Sequence, residues 1–125
     1  MMLLEWLDIE FSVAKWTGPR KIEELGLFSF WSRTDQELSL VCPTACLPND
    51  VEVQEDGWIC FRVAAQMEFS LVGILSKISG SLAEKEISIF AVSTFDTDYV
   101  FIKKENAQLA EYAMESIGWC FMNKK

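Results

Sequence analysis

From Trp58 onward the apolar residues alternate between two spacings, and the order of those spacings leaves few folds open. In Trp58–Ala65, Ile59, Phe61, Val63 and Ala65 fall on one face of a strand, with Trp58, Cys60, Arg62 and Ala64 on the other. Leu71, Ile74, Leu75, Ile78 and Leu82 then recur at helical spacing, with Ser70 placed to cap the helix. Gly80 inside that helix costs about 1 kcal/mol relative to alanine. Ile87 to Thr94 is a near-continuous apolar strand, as expected of a central position covered on both sides. Asp98 to Lys103 is its hairpin partner. Leu109, Tyr112, Ala113 and Ile117 predict a second helix, with Asn106 as its cap and Gly118 in the left-handed position that follows. Trp119-Cys120-Phe121 reads as a short last strand, and Met122 to Lys125 as a polar tail. Upstream, Asp56-Gly57 is a turn signal that would pair Val51-Glu52-Val53 with the Trp58 strand in a hairpin.

The order strand, helix, strand, strand, helix, strand is that of a ferredoxin-like βαββαβ unit, an α+β fold. Right-handed crossovers place both helices on one face of a four-stranded antiparallel sheet. The other face keeps apolar groups, so a cover is expected, and the N-terminal half is the candidate. The chain has 125 residues, half of them apolar, enough for one compact domain or two small ones.

Several function classes are disfavoured by composition. Eleven basic residues face 19 acidic ones, for a net charge of −8. Nucleic acid and anionic membranes are therefore not expected partners. No apolar run approaches the roughly 20 residues that span a bilayer. MMLLEWLDIEF lacks a basic leader, so a cytoplasmic location is expected. The chain has no histidine, which removes the commonest general base and any Ser-His or Cys-His pair. Cys42 and Cys46 have three residues between them and no second pair, so no metal site is expected. Cys60 and Cys120 read as small core residues. No cofactor is expected, and no enzyme.

The N-terminal half also repeats part of the C-terminal half. Phe11-Ser-Val13-Ala14 matches Phe61-Arg-Val63-Ala64 at an offset of 50 residues. Phe28–Val41 can be laid on Ile89–Ile102 at an offset of 61, with Ser32 on Ser93, Asp35 on Asp96 and Glu37 on Asp98. Both are strand, polar turn, strand. The offset grows by about three helical turns, so the first copy lacks the long helix. Only Pro19 to Leu25 lies where it would be. Residues 1–53 are thus read as a truncated three-stranded unit and 54–125 as the complete one.

The stretch Phe90-Ala-Val-Ser-Thr-Phe-Asp-Thr-Asp-Tyr-Val-Phe101 is the strongest functional signal. Two carboxylates and two hydroxyls crowd a tight connection between apolar strands, and polar groups packed so closely need a partner, either local backbone or a ligand. Phe69-Ser-Leu-Val-Gly73-Ile-Leu, Leu82-Ala-Glu-Lys-Glu-Ile87-Ser-Ile-Phe90 and Ser93-Thr-Phe-Asp-Thr-Asp98-Tyr together resemble the ACT domain family of regulatory modules. The whole chain, from Ile9 to Phe121, resembles short bacterial tandem-ACT proteins with a degenerate N-terminal copy. A turn of the same type occurs in the ACT units of the animal cytosolic arginine sensor. One departure is Glu86, where the family usually has glycine. A positive φ there would cost roughly 1–2 kcal/mol.

The resemblance implies amino-acid binding at an interface between ACT units, commonly in a homodimer. One wall would be Ser70 to Gly73 and the other the Ser93 to Asp98 turn, from the same or a neighbouring unit. The residues suit such a ligand. Amides of Leu71, Val72 and Gly73 at a helix start suit a carboxylate. Asp96 and Asp98 suit an ammonium, with the hydroxyls of Ser93 and Thr94 completing its shell, and Phe95 could stack on a side chain. Local readings stay open: Ser70 serving only its own helix, Asp96 and Thr97 only an Asx-type turn, and Phe95 only local packing. The rival function is a non-catalytic interaction domain with an empty ACT pocket.

Overall fold

The computed structural model describes residues 2–66 and 73–125. The chain divides into two compact units, Met1–Asp8 with Ile59–Lys125, and Ile9–Trp58.

The first unit holds strand β1 (Met2–Trp6), the later part of β5 (Val53–Gln66), helix α1 (Ile74–Glu84), β6 (Ile89–Ser93), β7 (Asp98–Lys103), helix α2 (Ala107–Ser116) and β8 (Cys120–Phe121). From β5 onward this is the βαββαβ order. Strands run β6-β7-β5-β1-β8 across the sheet. The expected four-stranded sheet has gained β1, which pairs antiparallel with β5 and parallel with β8. Strand β1 earns that place by alternation: Met2, Leu4 and Trp6 are buried, while Leu3 and Glu5 are half-buried. Its buried residues join Ile59, Phe61, Val100 and Ile102 on one sheet face, packed against Ile74, Ile78 and Leu82 of α1 and Ala110, Ala113 and Met114 of α2. Each fully buried aliphatic of this kind contributes about 1.5–3 kcal/mol.

Helix α2 buries Ala113 as its spacing predicts but otherwise turns a different face inward. Leu109, Tyr112 and Ile117 are exposed, and Ala110, Ala113 and Met114 are buried. The alanines let the helix lie close to the sheet, and Glu111 is buried with them. Its carboxylate accepts hydrogen bonds from Trp6 Nε1 and from the Lys125 amide, each at 2.8 Å. The tail is therefore docked: the Met122 amide donates to Leu4 O, and the Asn123 side chain bonds both the amide and the carbonyl of Trp6. Asn106 stands at the α2 N-cap without a side-chain cap bond. Cys60 is buried as expected, but Cys120 is exposed, and all four cysteines are free thiols. Burial pushes the Cys42 thiol up to about 11, with Cys46 adding to the shift.

Both helices end in the same way. After α2 the amide of Gly118 bonds Glu115 O and that of Trp119 bonds Met114 O; after α1 the amide of Glu86 bonds Ala83 O and that of Ile87 bonds Leu82 O. This is the six-residue Schellman closure, whose C′ residue is left-handed. Gly118 has φ 85 and Glu86 has φ 59. The departure noted in the sequence is thus a strained one. Glu86→Gly is expected to stabilise the chain by about 1 kcal/mol, read as a higher urea midpoint with unchanged slope. A lower midpoint would contradict that reading.

The second unit holds β2 (Phe11–Trp16), β3 (Phe30–Arg33), β4 (Leu38–Pro43) and the start of β5, in the order β3-β4-β2-β5. Strand β2 pairs antiparallel with β4, and β3 with β4. Residues 17–29 cross from β2 to β3 without a helix. The hairpin read at Asp56-Gly57 does not form: β5 runs through it as one strand. Gly57, at φ 85, takes up a bulge opposite Ser12, where the register with β2 shifts. The buried Ser12 hydroxyl bonds Asp56 Oδ1 at 2.5 Å and lies 2.8 Å from Thr44 Oγ1. Trp16, Leu38, Leu40 and Cys42 form this unit's core.

Acidic side chains hold the crossover. Asp50 lies below the usual carboxylate range because Arg20 hydrogen-bonds to it, and Glu52 is lowered by the Thr17 hydroxyl and amide. Lowered folded values mean that these contributions are present above about pH 4, near the unfolded pKa values, and disappear as pH falls through the folded ones. Stability should therefore decline on acidification below that point. Asp50→Asn should flatten part of the decline in a series of urea melts, and an unchanged pH profile would contradict the assignment.

Candidate functional site

The turn between β6 and β7 is organised by its own polar groups. Ser93 stands opposite Asp98 and Val92 opposite Tyr99. The Thr94 amide donates to Thr97 O at 2.8 Å, and the Thr97 amide returns a bond to Thr94 Oγ1 at 3.3 Å. Thr97 Oγ1 donates to Val63 O at 2.9 Å, which fastens the turn to β5. Ser93 Oγ donates to Asp98 Oδ1 at 2.5 Å. One carboxylate oxygen of Asp98 is thus oriented, and a carboxylate has about four acceptor positions, so capacity remains for a guest. Asp98 is half-buried, Asp96 is exposed, and Phe95 is fully exposed at the tip (104%).

Facing the turn is the start of α1. Gly73 precedes the helix with φ 82, a backbone state that glycine adopts without strain. Its carbonyl accepts the first helical bond, from Lys77 N at 2.8 Å. The amides of Ile74, Leu75 and Ser76 are then the ones without intrahelical acceptors, and they stand at the positive end of an 11-residue helix.

Turn and helix start line one cleft of ≈ 470 Å³. Gly73, Ile74, Leu75 and Ser76 form one wall, Thr94 to Asp98 the other, and Val63 contributes from β5. That volume falls within the roughly 300–1,000 Å³ of small-molecule sites. Asp96 and Asp98, whose relative direction a turn leaves open in sequence, line the same cleft; they are its titratable members among the described residues. The arrangement presents donors and partial positive charge on one side and carboxylates on the other. Chemically it suits a small molecule bearing an anionic and a cationic group.

Of the residues chosen from sequence, Gly73, Thr94, Phe95, Asp96 and Asp98 line the cleft, and Ser93 supports Asp98. Ser70, Leu71 and Val72 lie outside the described residues. The helix starts at Ile74, so the first-turn amides in view are those of Ile74, Leu75 and Ser76 rather than an earlier set. These three, with Thr97 and Val63, were missed. The glycine that interrupts Leu71-Val72 and Ile74-Leu75 was the available signal for a later start.

No described helix is long and apolar enough to cross a membrane, and no group of His, Cys, Asp or Glu among the described residues could hold a metal ion.

The fold is a ferredoxin-like α+β module with a cleft at a helix start. Residues 53–116 match the model of the ACT domain, and the chain belongs to that family. ACT domains are regulatory modules. Among solved structures, the chain is similar to a protein from Agrobacterium tumefaciens (TM-score 0.88, 28% identity, 99% of this chain and 94% of that one). It also shares the fold of the aspartate kinase of Clostridium acetobutylicum, described as an allosteric enzyme (TM-score 0.64, 13% identity, 86% of this chain and 32% of that one). A third is the regulatory subunit of aspartate kinase from Thermus thermophilus (TM-score 0.60, 10% identity, 90% and 95%). No functionally curated protein matches the chain significantly.

Proposed function

We propose that this chain is a cytoplasmic regulatory module that binds a free amino acid without transforming it. The observation that carries the reading is the cleft itself, lined by the first residues of α1 and by Asp96 and Asp98. The ligand carboxylate would meet the amides of Ile74, Leu75 and Ser76, and its ammonium would meet Asp98 and the Thr94 hydroxyl. Ser70, Leu71 and Val72 are retained as members of the first wall. Likeness to the regulatory subunit of an aspartate kinase supports the regulatory role.

We further infer a homodimer, in which the second copy approaches the cleft rim. Residues 1–53 are read as a degenerate ACT-like copy and 54–125 as the ACT domain, related through its turn to the units of the animal arginine sensor. Support for the duplication comes from strand order and turn chemistry. The β3-β4-β2 order repeats β6-β7-β5. Thr34 N donates to Glu37 O, as Thr94 N does to Thr97 O. These bonds align the two hairpins at an offset of 60, one residue short of the alignment made from sequence.

The test is a thermal-shift screen with each of the twenty common amino acids and a set of nucleotides. A ligand that binds only the folded state at a hundred times its Kd adds about 2.7 kcal/mol. At least one amino acid should raise the melting temperature saturably; a flat response to all of them would overturn the reading.

A further inference from the structure

A second place in the molecule is built to receive a cation, and it is filled from within. In the helix-free crossover of residues 17–29, Arg20 turns inward so that its side chain is only 16% exposed. Its guanidinium carbon stands 4.7 Å from the ring centroid of Trp16 and 5.9 Å from that of Trp31. The two indoles are stacked on one another, 5.7 Å apart and 18° from parallel. Asp50 grips the guanidinium through both oxygens, from Nε at 3.2 Å and Nη2 at 2.9 Å. Glu23 accepts from Nη2 at 3.3 Å, and the Lys21 carbonyl from Nη1 at 2.6 Å.

Aromatic faces with a carboxylate fork at the edge are what a planar guanidinium recognises: the ring quadrupole attracts the cation, and the fork matches two N–H bonds. Most of the walls come from elements other than the one that supplies Arg20. Trp16 ends β2, Trp31 belongs to β3, and Asp50 follows β4. Asp50 O is held by Trp16 Nε1 at 3.0 Å, so acceptor and aromatic face are positioned together. Trp31 Nε1 is buried without a hydrogen-bond partner, a donor left beside the cage. An acceptor carried by an incoming molecule would satisfy it.

We propose that Trp16, Trp31 and Asp50 form a guanidinium-accepting site that Arg20 occupies in cis, and that the crossover is a strap whose withdrawal gives the site to an external guanidinium or alkylammonium group. Besides Arg20, the strap packs Leu25 against the core around Trp16 and is held by hydrogen bonds near its start. Glu52 holds the Thr17 hydroxyl and the amides of Thr17 and Gly18, and Arg33 donates to Arg20 O. An external cation competes with a tethered one, so the parent protein keeps the site closed at low ligand concentration.

The experiment uses the full chain carrying Arg20→Ala, with methylguanidinium chloride as the probe and sodium chloride at equal ionic strength as the control. The indole N–H signals of Trp16 and Trp31 should shift saturably in the variant. Those of the parent should stay in place over the same range, and adding Asp50→Asn should remove the response. If Arg20→Ala does not fold, Arg20→Lys weakens the fork while keeping a cation, and the same two signals should respond at higher probe concentration. No shift beyond the salt control in whichever variant folds would overturn the proposal, as would an equal shift in the parent.

Discussion

Asp98→Ala is expected to weaken amino-acid binding by tenfold to more than a hundredfold. The loss follows from one charge-assisted hydrogen bond to an ammonium, worth about 1.5–3 kcal/mol, at 1.4 kcal/mol per factor of ten. The fold should survive, because Asp98 is only half-buried and its partner Ser93 is exposed and can turn to water. Asp98→Asn separates charge from shape: it keeps an acceptor for Ser93 Oγ and removes the negative charge. Calorimetric titration of both variants should give similar losses. If the asparagine variant binds like the parent, the aspartate does not act as the ammonium's counter-charge. Asp96, being exposed, should matter less.

Phe61→Ala should be the most destabilising single change in the first unit, at about 3–5 kcal/mol. Phe61 is fully buried and meets Trp6 edge-on at 5.3 Å and Phe121 edge-on at 5.4 Å, while Trp6 stacks on Phe121 at 5.1 Å. Truncation removes two of the three ring contacts in this triplet and leaves a cavity at the junction of β5, β1 and β8, which rigid neighbours fill only in part. Against a typical total of about 5–15 kcal/mol, the loss is large. Urea denaturation followed by far-ultraviolet circular dichroism gives the number. A cost below about 1 kcal/mol would mean that the aromatic triplet is not central to the core.

The sequence was most legible where local chemistry and tertiary demand agree. The strand beginning at Trp58 and the helical spacing of Ile74, Ile78 and Leu82 were kept by the fold. Glu86 and Gly118 were readable because a Schellman closure needs one left-handed residue at a fixed place. The turn residues were readable because Thr94, Thr97, Ser93 and Asp98 satisfy one another locally.

Longer-range demands were not visible in this way. Leu109, Tyr112, Ala113 and Ile117 looked like the buried face of α2, and of these only Ala113 is buried. The true face includes Glu111, and a buried glutamate makes sense only once Trp6, far away in sequence, brings an indole donor to it. Strand β1 was missed for the same reason, since its partners β5 and β8 lie far along the chain, with Trp6 opposite Phe61 and Leu3 opposite Cys120. Asp56-Gly57 has the composition of a hairpin turn, yet one strand with a bulge serves because Ser12 offers the Asp56 carboxylate a buried partner. In the cleft, the carboxylate wall could be read from sequence, but the helix start that faces it depended on where Gly73 interrupts the chain.

Everything functional depends on a single small molecule bridging the two walls of the cleft. A titration of isotope-labelled protein with the amino acid giving the largest thermal shift tests this directly. The amide signals of Ile74, Leu75 and Ser76 should move together with those of Thr94 to Asp98, along one saturation curve. Movement of one wall without the other, or of neither, would contradict the account.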